Sequence, residues 1–250
     1  MTTKEIIRFD KVSKAFGTHR VLEKASLSIY NGETITIMGG SGQGKSVFLK
    51  LLLGVLDTDS GRVLFEGKEV GEMSSSELSK MRSRIGMLFQ GSALFDSLTV
   101  RENIAYPLRE HFDYSEEDIS RIVAEKLALV GMEGIEDMMP ADLSGGMKKR
   151  VGLARAIATD PCVILYDEPT TGLDPANTKR ICSLIKSLQA KLGVTSVVVT
   201  HDMEAAFEVT DRIAMIHNLT FDFIGTKDEV RSSDEEFVQN FIKGQMDTED

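Results

Sequence analysis

Eight consecutive residues, Gly39-Gly40-Ser41-Gly42-Gln43-Gly44-Lys45-Ser46, carry the spacing G-x-x-x-x-G-K-[ST]. Glycines at these positions let backbone N–H groups wrap a polyphosphate, and a helix opening directly after them adds the positive end of its dipole. Lys45 is placed to bridge the β- and γ-phosphates of a nucleotide, and the Ser46 hydroxyl to ligate Mg²⁺. A second group, Val163-Ile164-Leu165-Tyr166-Asp167-Glu168, is an apolar run ending in two acids. Alone it reads as a surface turn ahead of Pro169. Beside a phosphate loop, Asp167 becomes a candidate for holding the water shell of Mg²⁺, and Glu168 for taking a proton from an attacking water. A third group, Leu143-Ser144-Gly145-Gly146-Met147, has an N-capping serine and two bare glycines ahead of Lys148, Lys149 and Arg150. Its plain reading is a helix cap. A second phosphate-facing helix in a chain with its own phosphate loop makes sense if it serves a neighbour's nucleotide.

These groups need strands and helices to aim them. Thr34–Met38 reads as the strand entering the phosphate loop, with Val47–Leu53 as the helix leaving it. Leu27–Tyr30 and Thr34–Met38 flank Asn31-Gly32, a turn pair typical of tight hairpins. Arg62–Phe65 is a further short strand between Gly61 and Gly67. In the middle of the chain Ser115 and Asp118 have the spacing of a capping box. After them Ile119, Ile122, Val123, Leu127 and Val130 make one helical stripe, stopped by Gly131. Val163–Tyr166 and Val197–Thr200 are the near-continuous apolar strands of a parallel sheet covered on both faces. Helical patterns follow at Ala176–Leu192 and Met203–Val209. Strand–helix alternation around a helical block implies an α/β core with an inserted helical subdomain.

Composition narrows the class. The 250 residues are 42% hydrophobic and 27% charged, enough for a core and too apolar for a disordered chain. No apolar run approaches the ~20 residues that span a bilayer, and the first ten residues lack a secretory h-region. The chain therefore reads as cytoplasmic. Cys162 and Cys182 form no CxxC pair, which argues against a disulfide framework or zinc site. A net charge of −10 is the wrong sign for a protein living on nucleic-acid phosphates. Part of that charge is terminal, where residues 227–250 hold eight acids against three bases. The sequon Asn218-Leu219-Thr220 is set aside in a cytoplasmic chain, and His19, His111 and His217 show no partners in the sequence.

Over nearly its whole length and in motif order, the chain resembles the ATP-binding-cassette ATPases. Leu143–Met147 is similar to their LSGGQ signature, with Met147 in place of glutamine; a thioether is a poor hydrogen-bonding group, and Ser144, Gly145 and Gly146 keep the donors. The resemblance implies a P-loop α/β fold with a RecA-like parallel-sheet core, an N-terminal antiparallel β subdomain and an inserted helical subdomain. As a single cassette, residues 1–90 and 151–250 would form the nucleotide-binding core and 91–150 the helical subdomain. It further implies that Gln90 is the Q-loop glutamine, sensing Mg²⁺ and the attacking water. Thr171-Gly172-Leu173-Asp174 would be the D-loop, His201 the switch histidine, and Phe16 the aromatic stacked on adenine. Nucleotide contacts would run through residues 39–47, Val47 included. Two copies would sandwich two ATP molecules, each between the phosphate loop of one copy and Ser144–Gly146 of the other.

Three stretches narrow the group: the methionine-ended signature, the Q-loop Met87–Phe95, and Asn103–Glu110. Together they resemble the ATPases of MCE-associated lipid transporters, which include the maintenance-of-lipid-asymmetry system of Gram-negative bacteria. That implies a separate membrane permease, an MCE-type binding protein, a seat on the cytoplasmic face of the inner membrane, and phospholipid or another hydrophobic cargo. Residues 91–110 would lie beside a groove for the permease, with Leu94, Phe95, Leu98, Ile104 and Leu108 weighted toward core. Phe237, Val238, Phe241 and Ile242 form a similar terminal stripe, and only Gln245–Asp250 follow Gly244, too short for a separate regulatory domain. The alternatives are an ATPase of another importer or exporter class, or a soluble cassette acting on nucleic acid or ribosomes. The latter fits poorly with one cassette, no heptad run and an acidic balance.

Overall fold

β3 (Thr34–Met38) is buried at all five positions, so this strand needs cover on both faces and neighbours on both edges. The computed structural model, which describes residues 4–40 and 42–243, divides into two units, Met1–Leu78 with Val197–Asp250, and Ser79–Ser196. Ser41 of the phosphate loop and the segment Gln245–Asp250 fall outside the described residues.

In the first unit, β1 (Glu5–Phe16), β2 (His19–Tyr30), β4 (Ser60–Phe65) and β5 (Lys68–Glu69) form an antiparallel sheet in the order β2-β1-β4-β5. A second set runs β10 (Thr220–Thr226), β9 (Arg212–His217), β3, β8 (Thr195–Val199). β3 pairs parallel with β9, Ile35 opposite Arg212 through Met38 opposite Met215. α1 (Lys45–Leu52) follows β3 and buries Phe48, whose ring stacks on Phe9 of β1 with centroids 4.4 Å apart. α7 (Met203–Val209), α8 (Lys227–Ser232) and α9 (Glu236–Ile242) close one end around Met38, Ala206, Ile213 and Met215. The terminal stripe divides here: Val238 is buried in that cluster, while Phe237, Phe241 and Ile242 pack on it half-buried.

The hairpin read into Leu27–Met38 does not form. Asn31 and Gly32 do turn, Gly32 at φ 80°, but β2 pairs with β1 while β3 joins the other sheet beside β9. The reason is burial. β2 has exposed and buried residues as a strand with one covered face, whereas β3 is buried on both faces and has no side to leave in water. The turn is hooked to β9 instead: Glu33 accepts from the Tyr30 N–H (2.7 Å) and from Arg212 (3.1 Å), and Asp211 accepts from the Thr34 N–H (2.8 Å).

The second unit begins in α2 (Ser75–Ser83) and holds β6 (Ile85–Leu88) and β7 (Val163–Asp167), parallel and in the order β8-β7-β6. Helices α3 (Val100–His111), α4 (Glu116–Leu129), α5 (Gly145–Ala156) and α6 (Pro175–Leu192) complete it. The stripe read into α4 buries Ile119, Val123, Leu127 and Val130, with Gly131 at φ 64° as the stop. At its start Ser115 accepts from the Asp118 N–H (3.1 Å) and donates its hydroxyl to the Asp118 carboxylate (2.8 Å), and these contacts hold the Asp118 pKa low. Thr99 with Glu102 and Thr226 with Glu229 form capping boxes at α3 and α8.

Gly61 sits within β4 at φ 73°, where an added Cβ would lie 2.2 Å from the Lys11 carbonyl oxygen. Gly61→Ala should therefore cost roughly 2 kcal/mol or more, since strain and collision add, read as a lowered urea midpoint at constant m-value.

Candidate functional site

The phosphate loop spans the gap between β3 and α1. Gly44 caps α1 at φ 93°, a conformation suited to glycine, and a Cβ there would stand 2.7 Å from the Val21 side chain. Lys45 folds back over the loop, its ammonium donating to the carbonyls of Gly39 (2.7 Å) and Gly40 (2.8 Å). The Gln43 side-chain oxygen accepts from the Gly40 N–H at 2.8 Å. A Cβ on Gly39 or Gly40 would come within 3.2 Å of that side chain, so glycine at both lets Gln43 fold closely over the loop. α1 has neither a side-chain cap nor an acid in its first turn, so its own residues do not offset the positive end of its dipole. Ser46 is exposed beside it, and Val47 is half-buried.

Phe16, at the end of β1, is 48% exposed with the Lys14 ammonium 5.6 Å from its ring centroid, so it is not core. His201 is exposed directly after β8. Its backbone is pinned on both sides: the Thr200 N–H donates to the Ile37 carbonyl (3.2 Å) and the Asp202 N–H to the Thr200 hydroxyl (3.0 Å). His217, which the sequence left without partners, meets Asp222 through Nδ1 at 2.9 Å and stacks on Phe237 at 4.5 Å.

In the second unit the β6–β7 register sets Leu88 opposite Tyr166, and two residues further each strand delivers a candidate, Gln90 and Glu168. Glu168 stands at φ 47°. Its carbonyl accepts from the Thr171 N–H (3.3 Å) and from the Lys149 ammonium (3.2 Å), while its Oε2 accepts the Thr171 hydroxyl (3.2 Å). The same Lys149 ammonium donates to the Gln90 carbonyl. Lys149 is only 4% exposed; burial pushes its pKa below the usual lysine range, against the pull of the Asp167 and Glu168 carboxylates.

Asp174 spends its carboxylate on its own helix, accepting from the Ala176 and Asn177 N–H groups (both 3.0 Å), and these bonds hold its pKa low. Ser144 caps α5 by accepting from the Met147 N–H (3.3 Å), and Ser144 and Gly145 are exposed. Gly146 is buried, its missing Cβ making room for Asn177 of α6 within 2.9 Å. Met147 is half-buried.

Sequence reasoning missed three residues here. Lys149 passed as part of a basic surface run, although Lys149, Gly152, Leu153 and Ala156 share the buried stripe of α5. Asn103 and Arg155 organise the loop after Gln90. Asn103 is buried, accepts from the Phe95 N–H (2.8 Å) and donates to the carbonyls of Phe95, Leu98 and Thr99. Arg155 donates to the carbonyls of Ser92 and Ala93, both 2.8 Å. That loop edges a cavity of about 450 Å³, lined among others by Arg82, Met87, Phe89, Phe95, Tyr106 and His111. Ile104 and Leu108 are core as expected; Leu94 and Leu98 are half-buried, and Phe95 is exposed in the groove. Asn103→Leu should destabilise the protein by about 3 kcal/mol, because it strands several loop groups at once, measured as a drop in chemical-unfolding free energy.

The family described as ABC transporter matches residues 22–171. The chain is 42% identical over 238 residues to the probable ribonucleotide transport ATP-binding protein mkl of Mycobacterium tuberculosis, covering 95% of this chain and 66% of that protein. It thus spans just under two thirds of these mycobacterial relatives. It is 41% identical over 231 residues to the intermembrane phospholipid transport system ATP-binding protein MlaF of Haemophilus influenzae, covering 92% and 88%. Among solved structures, the dimeric post-hydrolysis state of the ATP-binding cassette MJ0796 bound to ADP and Pi superposes with a TM-score of 0.80 at 32% identity, covering 88% of this chain and 98% of that one. The cbiO1 structure from Clostridium perfringens, part of a cbiONQ transporter complex, gives 0.85 at 28% identity, covering 96% and 95%. With the phosphate loop, the signature helix and the strand-end acids in the family's order on this fold, the chain belongs to the ABC transporter family and folds as one of its P-loop cassettes.

Proposed function

We propose that this chain is the ATP-binding and ATP-hydrolysing subunit of an ABC transporter that moves phospholipid, or another hydrophobic molecule, through a separate permease. The observation that carries the motor reading is the open N-terminus of α5, with Ser144 and Gly145 exposed, in a chain that already has a phosphate loop of its own. Two such copies complete each other. The phosphate loop of one, Gly39–Ser46 with Val47, grips ATP, and Ser144–Gly146 of the other closes on its γ-phosphate. ATP then favours the closed dimer because that phosphate gains contacts only there. The dimeric MJ0796 cassettes support this arrangement.

Within each site Glu168 takes the proton of the attacking water, with Gln90 and His201 orienting water and γ-phosphate, and the D-loop residue Asp174 at the closing edge. Phe16, exposed at its strand end, stacks on adenine. Ser46, Gln90 and Asp167 offer a hydroxyl, an amide oxygen and a carboxylate, a hard all-oxygen set that suits Mg²⁺. Bound there, Mg²⁺ would neutralise charge on the β- and γ-phosphates.

Residues 91–150 act as the helical subdomain that meets the permease, and the groove behind Phe89, Phe95 and Tyr106 seats a permease helix. No helix among the described residues is long and apolar enough to cross a membrane, which supports a subunit held on the cytoplasmic face of the inner membrane through that permease. An MCE-type binding protein completes the assembly. The likeness to MlaF, at 88% of that protein's length, supports phospholipid cargo. A second reading, an importer of another class, is favoured by 42% identity to the methionine import protein MetN of Rhizobium johnstonii, but there the chain covers 59% of the relative.

Two outcomes test the reading. In a calorimeter Lys45→Ala should bind ATP at least about tenfold more weakly, whereas Glu168→Gln should bind it normally, lose turnover and accumulate an ATP-bound dimer by light scattering. Phe89→Asp, placing a charge in the groove, should retain ATP binding while co-purification with an integral-membrane permease is lost.

A further inference from the structure

The β6–β7 register runs to Leu88 opposite Tyr166, and two residues beyond it a cation bridges the two segments. The Lys149 ammonium, brought in from the second turn of α5, donates to the carbonyls of Gln90 and Glu168. Two features make this more than packing. Glu168 is a non-glycine residue at φ 47°, a conformation that costs about 1–2 kcal/mol and persists only where its surroundings enforce it. And burying an ammonium at 4% exposure is unfavourable unless its protons find acceptors, so Lys149 would move either carbonyl before it gave one up. The segment from β6 to Gln90 also carries Met87 and Phe89 into the walls of the groove.

We propose that Lys149 is a positioning residue that ties the Q-loop backbone to the turn bearing Glu168, so that what seats in the groove sets the aim of the carboxylate. This rests on the reading of Glu168 as the base. A shift of Phe89 and Gln90 moves the Gln90 carbonyl; the ammonium follows and passes the shift to the Glu168 carbonyl. The Thr171 hydroxyl, bonded to Glu168 Oε2, keeps side chain and turn in one frame.

The test compares full-length Lys149→Met, which keeps the length and loses the donors, with Lys149→Arg, which keeps the charge. Lys149→Met should lower kcat by about ten- to a hundredfold, the scale of a misaimed catalytic group, with KM and calorimetric ATP affinity unchanged. Lys149→Arg should recover most of the loss. In the nucleotide-free protein, amide exchange at Thr171, whose N–H bonds the Glu168 carbonyl, should quicken in Lys149→Met and return in Lys149→Arg. Because both act through one carboxylate, Glu168→Gln should cost far less on the Lys149→Met background than on the wild type. Undiminished kcat with unchanged Thr171 exchange in Lys149→Met, or additive losses in the double variant, would overturn the proposal. Glu168→Gln that hydrolyses ATP normally would instead remove the base assignment, whatever Lys149 does.

Discussion

Every helix begins with four backbone N–H groups that its own turns cannot satisfy, and this protein divides its helices by how it meets that demand. α3, α4 and α8 each carry a side-chain cap and acids in the first turn. α1 carries neither, and α5 has a serine cap with no acid at all. A carboxylate in either first turn would compete with phosphate for the same N–H groups and repel it. Leaving α1 without a side-chain cap, and both first turns without an acid, costs local helix stability, which tertiary burial supplies instead: Phe48, Leu49, Leu51 and Leu52 on α1, and Val151, Leu153 and Ala154 on α5.

Inside the phosphate loop the same demand is met provisionally. Gln43 satisfies the Gly40 N–H and Lys45 takes two loop carbonyls, so the loop is internally bonded. A polyphosphate bound here would displace these contacts, trading ammonium–carbonyl pairs for ammonium–phosphate pairs in which both partners are charged.

Much of this was legible in the sequence because the period and the punctuation agreed. Val163–Tyr166 and Val197–Thr200 read as near-continuous apolar runs, and both are buried throughout. Met203–Val209 forms the helix its pattern implies, with Asp202 as its cap. The Asn31-Gly32 turn misled because a turn specifies a change of direction, while the partner of the emerging strand is chosen by what must be buried on it. Lys149 misled for the converse reason. Between Lys148 and Arg150 it looks like one charge among three, and only the packing of α5 against β6 removes it from water. Gly86 shows how tight that packing is: a Cβ there would stand 2.2 Å from the Ala156 carbonyl oxygen. His217 likewise acquires its partners from β10, through Asp222, and from α9, through Phe237.

α5 carries a second cation, the half-buried Arg155, and its placement repeats that of Lys149. Arg155 donates to the carbonyls of Ser92 and Ala93, which stand at φ 64° and 45°, as Lys149 donates to Glu168 at φ 47°. Burial lowers the pKa of both cations, the cost of taking each from water. Carbonyl oxygens are the acceptors available to repay it, and a carbonyl turned toward a helix by a left-handed residue points where a strand carbonyl would not. The left-handed residues and the cations therefore support one another, since three of the four carbonyls that take these cations belong to Ser92, Ala93 and Glu168. One helix, bearing the signature at its start, thereby fixes both edges of the Q-loop, the segment that runs from the strand-end glutamine to the groove.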